Sequence, residues 1–400
     1  PDNSLAHRTT WLRSDLYNLL HLFYWFAYCC ISGFIAIFLQ YLGLSNTEIG
    51  IVTGISCIST IFISPFISSL VDRIKNLTIK KLTVYITVGV GIIYLILSFI
   101  KMPAFMAMIL YILMYALMLS TVPLLTMIAM NYINDGLYVN FGLARGIGSA
   151  SWAASAFVFG QVISFVDPWI LSIGYFFFIA LALILLYTMP KQKNVKTTKE
   201  KQGSVLQVIK NYKILFFLLL GFCFMFAGAT TIGTYLINIV TNLGGNTSLY
   251  GVCMFFMAFS ELPVITMAPR LMKRFNSVTL IVLASVFYLL RNFTICLAPN
   301  LIILIIGMMF QGLSYGLFTG VITYYVTYNL DAKDQLAGQT LIGIMTSGIG
   351  STLGNVLGGI LQDTFGLDYM FMFIYIVTIT GALIIFTTKK INDKKNLAAS

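Results

Sequence analysis

The chain of 400 residues is 59% hydrophobic and only 9% charged, with a mean hydropathy of +0.91 and a formal net charge of +11. So few charges cannot cover the surface of a soluble protein of this length, which excludes a pair or trio of water-soluble domains. The positive balance does not point to nucleic acid either, because the basic residues stand in short clusters between apolar runs, the distribution of a polytopic membrane protein.

The apolar runs reach about twenty residues or more, enough to cross a hydrocarbon core of roughly 30 Å. In lipid each backbone N–H and C=O must be paired within its own segment, so the spans are predicted to be helices. The short alternating strands of a membrane barrel are not seen. In chain order the spans fall at 16–42, 48–70, 80–101, 104–132, 138–164, 168–189, 212–240, 247–272, 276–297, 300–328, 337–362 and 367–388. The first run continues as a full span, so it does not read as a cleavable signal peptide.

Charges between the spans orient them. Arg73, Lys75, Lys80 and Lys81 follow span 2; Lys191, Lys193, Lys196, Lys199 and Lys201 follow Pro190, with Lys210 and Lys213 beyond. Arg270, Lys273 and Arg274 follow span 8, and Lys389, Lys390, Lys394 and Lys395 form the tail. The other side carries Lys101 with Glu48, Asp167, Asp363 and Asp368. An even number of spans with this bias predicts a multi-pass protein of the cell membrane with both termini in the cytoplasm. The polar linker divides the chain into an N-terminal six-helix bundle (1–189), a cytoplasmic connection (190–211) and a C-terminal six-helix bundle (212–400). Weak repetition relates the halves: Pro65 stands seven residues before Asp72 as Pro263 does before Arg270, and Leu143-Ala144 is matched by Leu336-Ala337. Both offsets are roughly 195 residues, the mark of a duplicated transporter half.

Three ionisable side chains remain inside spans: Arg145, Glu261 and Arg291. Each costs about 2.5–3.5 kcal/mol at a helix centre on the insertion scale, so each is expected to be paired, hydrated or used. Ser149 and Trp152 follow Arg145 at helical spacing and share its face. A guanidinium with fixed bidentate donors, a hydroxyl and a flat indole suit a polar, ring-bearing solute; the structural alternative is an interfacial arginine reaching for the headgroups beside a packing tryptophan. Glu261 is followed by Pro263, which loosens the helix by removing a backbone donor. A carboxylate out of water favours its protonated form and a nearby guanidinium the charged one, so Glu261 can load and release a proton; the alternative is a static pair with Arg291 or Arg145. Arg291 belongs to a span expected on the outside of its bundle, which favours a structural part for it. His21 reads as a polar packing residue, and Gln40, Asn131, Gln311, Tyr315, Tyr324 and Asn355 are further cavity candidates.

The six cysteines all lie in apolar runs without paired or ligand spacing, so neither disulfides nor a metal site is predicted. No nucleotide-binding loop or nucleophile constellation emerges. No cofactor is expected, and energy would come from a gradient.

The stretch Phe141-Gly142-Leu143-Ala144-Arg145-Gly146-Ile147-Gly148-Ser149-Ala150-Ser151-Trp152 resembles the lactose permease branch of the major facilitator superfamily and its phenylpropionate and nucleoside permease relatives. The resemblance implies an all-α membrane protein of twelve transmembrane helices in two pseudo-symmetric six-helix bundles, with the solute between the halves. It also implies that Arg145 and Trp152 engage the solute, with Ser149 at a cysteine position. Asp72-Arg73 followed by Lys80-Lys81 resembles the superfamily's gating loop, with Ser68 in place of its leading glycine. Ala268-Pro269 and Arg291 resemble the segment from span 8 to span 9. Counting from Pro123, Thr126 stands where the branch has a sugar-binding acid. The histidine and glutamate of span 10 fall at Met308 and Gln311, the span 11 lysine at Ser347, and the span 8 glutamate at Ala258. Glu261 with Pro263, and the stretch from Gln311 to Leu317-Phe318, are nearer the phenylpropionate branch.

The expected function is therefore secondary active transport, a proton symport of a small polar organic solute by alternating access, with a saccharide leading. Arg145, Ser149, Trp152, Thr126 and Gln311 would bind it, and Glu261 and Arg291 would couple or bind. A nucleoside or aromatic-acid permease, an uncoupled facilitator and a drug exporter share the fold; the Gly-Pro hinge of exporters is missing from span 5. A receptor or scaffold would show a long extramembrane domain, and the loops are short. The expected partners are the solute, protons and the lipid bilayer, with no nucleic acid, and the protein is expected to be a monomer and not an enzyme.

Overall fold

The computed structural model describes residues 3–74, 76–135, 139–190 and 204–399, with no strand among them. Lys75, the lysines between 191 and 203, and the side chains of Asp72, Pro269 and Lys395 lie outside the described residues. Two compact units emerge: Pro1–Gly43 with Ser59–Thr197, and Leu44–Ile58 with Thr198–Ser400. The stretch 44–58 thus packs with the C-terminal helices, although it opens a helix that continues into unit 1.

Unit 1 is built from α1 (Asn3–Ser32), α2 (Ile35–Tyr41), the later part of α3 (Asn46–Arg73), α4 (Ile79–Phe99), α5 (Ala104–Asn134), α6 (Phe141–Val162) and α7 (Ile170–Thr188). α1, from Asp15 on, and α2 meet at a bend of 49°. α1 lies against α6 and α7, and α4 lies against α5. Small residues on α6 let it approach α1 so closely that Ser151 and Ser155 donate to the backbone carbonyls of Leu22 and Phe26. This is how membrane helices associate where lipid removes the hydrophobic drive. Buried tyrosines are satisfied in the same manner: Tyr94 donates to the carbonyl of Cys30 at 2.9 Å and Tyr175 to that of Thr87 at 3.0 Å.

Unit 2 holds α8 (Val205–Asn211), α9 (Lys213–Thr234), α10 (Leu236–Asn242), α11 (Thr247–Met272), α12 (Ser277–Cys296), α13 (Leu301–Met309), α14 (Leu317–Asn329), α15 (Ala332–Gly343), α16 (Ser351–Phe365) and α17 (Leu367–Ala399). The predicted tenth span is α13 and α14 joined by a π-helical turn, Gly312–Gly316, and the eleventh is α15 and α16 joined by a longer one, Ile344–Gly350. Each π turn inserts extra backbone into a helix, a distortion that recurs at functional positions. α8 occupies part of the stretch read as the connection. Phe222 and Phe318 stack at 3.9 Å in the core of this unit.

Polar caps mark where the spans begin. Asn140, Asn246, Asn276 and Asn300 accept from backbone N–H groups at the starts of α6, α11, α12 and α13, and Thr78 does so at α4. Ser45 and Glu48 form a reciprocal capping box at the start of α3. The units also share a device. α2 and α10 are each seven residues long and each is followed by a glycine in the left-handed region, Gly43 at φ 87° and Gly244 at φ 77°, a helix ending that a Cβ disfavours.

Among the described residues ten helices are long and apolar enough to cross a membrane, or eleven with the bent α1–α2 pair counted as one span. α6, 22 residues and so about 33 Å long, stands at the remaining predicted place. Glycine, serine and Arg145 lower its hydropathy below that of those spans.

Candidate functional site

Tyr17, His21 and Trp25 follow one another at four-residue spacing and so share a face of α1. They form a directed chain. The indole Nε1–H of Trp25 donates to His21 Nδ1 at 3.2 Å. An indole can only donate, so Nδ1 is the acceptor and the ring proton sits on Nε2. Nε2 lies 2.9 Å from the Tyr17 hydroxyl, which donates onward to the Leu125 carbonyl of α5 at 3.0 Å. Trp25 and His21 are both buried, and the chain holds the indole in one orientation.

Arg145 of α6 lies over that indole, its guanidinium carbon 4.5 Å from the ring centroid. Gly148, one turn on, makes room for it, since a Cβ there would fall inside the Trp25 ring. Arg145 itself is exposed, and among the described residues its side chain makes no hydrogen bond or ion pair. Stacking occupies one face of the guanidinium and leaves its edge of N–H donors open. Trp152 is half-buried and donates its Nε1–H to Ser32 Oγ at 3.1 Å, so it presents ring surface rather than a donor. The Ser149 hydroxyl makes a long 3.4 Å bond to the carbonyl of Arg145, and Thr126 donates to that of Val122 at 3.3 Å. Tyr24 and Thr121 share a short hydrogen bond behind Trp25.

Unit 2 gathers a second polar group. Gln311, just before the first π turn, donates from Nε2 to Glu261 Oε1 at 3.1 Å, and the Gly312 N–H donates to the neighbouring Ser260 hydroxyl at 3.0 Å. Arg291 belongs to α12 and is 1% exposed, buried within its unit. Its Nη1 donates to Asn292 Oδ1 at 2.9 Å, and Asn292 donates to Thr378 at 2.8 Å. Arg291 Nε, Tyr288 Oη and Gln311 Oε1 are buried with no hydrogen-bond partner among the described residues. Native interiors hold few such atoms, and they concentrate where a polar guest or water belongs.

A third cluster ties residues 44–58 to the rest of unit 2. Asp363, near the end of α16, accepts from Asn46 Nδ2 at 2.8 Å and from the backbone N–H of Thr47 at 2.6 Å. A carboxylate there complements the positive end of α3. Tyr235 donates to the carbonyls of Asn46 and Asn355, and Asn238 donates to Asn46 Oδ1 at 2.9 Å.

The structure thus brings Arg145, Ser149 and Trp152 onto one helix in unit 1, with Thr126 on α5, and joins Glu261 to Gln311 in unit 2. Arg73 is exposed at the end of α3. Trp25 and the stacking role of α1 were not anticipated. The signal was available as tyrosine, histidine and tryptophan at four-residue intervals, a line of polar-tipped aromatics in an otherwise apolar span.

Known proteins resemble this chain over nearly its whole length. The model of the MFS_1 like family matches residues 16–373. The uncharacterized transporter YwbF of Bacillus subtilis (strain 168) is 26% identical over 390 residues, covering 95% of this chain and 96% of that protein. The maltose permease of Geobacillus stearothermophilus is 21% identical over 384 residues, covering 94% and 95%. Among solved structures, the nucleoside transporter NupG aligns with a TM-score of 0.76 at 16% identity, over 94% of this chain and 98% of that one. A D-xylose-proton symporter aligns with a TM-score of 0.68 at 16% identity, over 94% and 96%. At such identities the structural likeness speaks for the fold.

Proposed function

The chain belongs to the MFS_1 like family and is a multi-pass transporter of the major facilitator superfamily; from that premise we propose that it carries a small polar organic solute, a saccharide first, in symport with protons by alternating access. The carrying observation is Arg145: a guanidinium stacked on a locked indole, with its donor edge uncommitted, in a helix read from the sequence as a span. A membrane protein retains such a side chain at considerable cost, and a preset cationic fork beside the Trp152 ring is suited to the hydroxyls or carboxylate of a ring-bearing solute. The maltose permease and the D-xylose-proton symporter are named for sugars, which supports the saccharide class.

In this reading Arg145, Trp152, Ser149, Thr126 and Gln311 contact the solute and Glu261 takes up the proton. Arg291 tunes the charge of Glu261's surroundings, and Asp72-Arg73 forms a gating loop. The bundles 1–189 and 212–400 act as the transport domains, joined by 190–211, in a monomer whose termini the loop charges assign to the cytoplasm. Coupling follows from linkage: solute and proton each improve the other's binding when both favour the same neutralised state.

The test has two parts. Purified protein is screened by thermal unfolding against sugars, nucleosides and aromatic acids, alongside Arg145→Ala; a genuine solute stabilises the parent and not the variant. The solute so found is then added to vesicles suspended in weakly buffered medium with an impermeant pH dye outside them. Solute-driven alkalinisation is expected, and uptake without proton movement would leave an uncoupled facilitator.

A further inference from the structure

Away from the polar clusters, α9 and α17 enclose an apolar groove of about 500 Å³ on the outside of unit 2. Its walls are Ile214 and Phe217 on one helix and Leu383, Ile384 and Ile391 on the other, with Lys213 at one end. Thr387 and Thr388 also line it, yet their hydroxyls donate to the Leu383 and Ile384 carbonyls at 2.7 Å, so they present methyl groups. Leu383, Phe217 and Ile391 are 60%, 45% and 48% exposed. On a membrane-spanning helix, that exposure is to lipid.

The groove ends in positive charge. Lys213 opens α9, where the helix N-terminus is itself positive. Lys394 stands three residues beyond Ile391, on the same face of α17 and about one turn past the apolar wall. A second space of about 310 Å³ adjoins the first through the shared Lys213 and Ile214, and it is lined by polar groups including Lys210, Asn211 and Asn329. Lys210 and Lys394 are both exposed. Asp334, which takes the Tyr212 hydroxyl at 3.3 Å, is fully buried and lines neither space.

We propose that this groove is a binding site for one anionic glycerophospholipid, an acyl chain lying between α9 and α17 and the phosphate held by Lys213 and Lys394, with Lys210 at the rim of the adjoining hollow. The chemistry is that of an apolar trough at membrane depth leading into a basic mouth at the headgroup level, where each basic side chain adds to the attraction for anionic lipid. The long stems of the lysines extend the apolar wall while their ammonium groups reach the interface. The site is independent of the transported solute and of which leaflet the basic ends face.

The full-length protein, purified in detergent, is titrated with dioleoylphosphatidylglycerol or with dioleoylphosphatidylcholine, and retained lipid is counted by native mass spectrometry. One phosphatidylglycerol is expected to bind in preference to phosphatidylcholine. Lys213→Gln and Lys394→Gln should each weaken it about 5-fold, the size of one basic contact at an anionic surface. Arg274→Gln removes equal charge elsewhere and should leave the preference intact. Leu383→Trp, which fills the groove from an exposed position, should displace the lipid with the lysines untouched; the lysine variants carry the test should that protein not fold. Equal retention of the two lipids by the parent, or equal weakening in the charge-matched control, overturns the proposal.

Discussion

The polar groups of the two units are organised on opposite plans. Around Arg145 in unit 1 the polar tips are already engaged: Trp25 to His21, His21 to Tyr17, Tyr17 to Leu125, Trp152 to Ser32. The guanidinium edge is left open on a rigid ring, and buried Asn18 Oδ1, beside Tyr17 in sequence, has no hydrogen-bond partner among the described residues. Around Glu261 in unit 2, three buried atoms lack hydrogen-bond partners among the described residues, and a π turn follows Gln311. The first plan is preorganised, so little order has to be created when a solute arrives. The second keeps hydrogen-bonding capacity in reserve and backbone that can change register, which suits a step in which a charge appears and disappears. On the proposed reading, recognition and coupling make different demands on the same kind of membrane helix.

That contrast can be broken or sharpened by substitution. Glu261→Gln keeps an acceptor for Gln311 but removes the titrating group; solute-driven proton movement should vanish while solute exchange down its gradient persists, measured in the same vesicles. Retained alkalinisation would move coupling away from unit 2. Arg145→Lys keeps the charge and loses the planar fork. Solute affinity should fall by about 1.5–3 kcal/mol, on the order of 10- to 150-fold, in equilibrium binding, and an unchanged affinity would show that Arg145 is structural. Gly148→Ala drives a methyl group into the Trp25 indole. Thermal unfolding should register roughly 1–3 kcal/mol of destabilisation together with weaker solute binding, whereas Gly146→Ala, where a Cβ has open space, should register neither. Smallest of all, Trp25→Phe keeps a ring under Arg145 but removes the donor to His21. A few-fold loss of affinity is expected, and Trp25→Leu should add about 0.5–1 kcal/mol for the lost ring face. Equal effects of the two substitutions would mean that the stacking contributes nothing.

The architecture was legible because bilayer thickness and backbone hydrogen bonding leave a helical chain few choices. All twelve predicted places are helical, and α6 was found despite its modest apolarity because Arg145, Ser149 and Trp152 stand out against it. The pairing of Gln311 with Glu261 was not foreseeable from spacing, since fifty residues separate them. His21 was read as packing because a single histidine in an apolar run carries little information; its meaning lies in Tyr17 and Trp25 on either side. The strongest repeat was also overlooked. Leu42-Gly43 before Asn46-Thr47 and Leu243-Gly244 before Asn246-Thr247 mark the same broken first span in both units, but a one-residue difference in spacing hides it from a fixed-offset comparison.

α3 is a single rod of 28 residues that serves two neighbourhoods, its beginning fastened by Asp363 and Tyr235 and its remainder built into unit 1. Under the proposed alternating access, the rod must either flex near residue 58 or let go at its tip. Letting go strips the carboxylate from the Thr47 amide and opens it to water, so that one proton becomes a clock for the turnover cycle, readable as deuterium uptake that quickens when solute is supplied. An amide that stays protected through turnover would put the give in the middle of the rod instead.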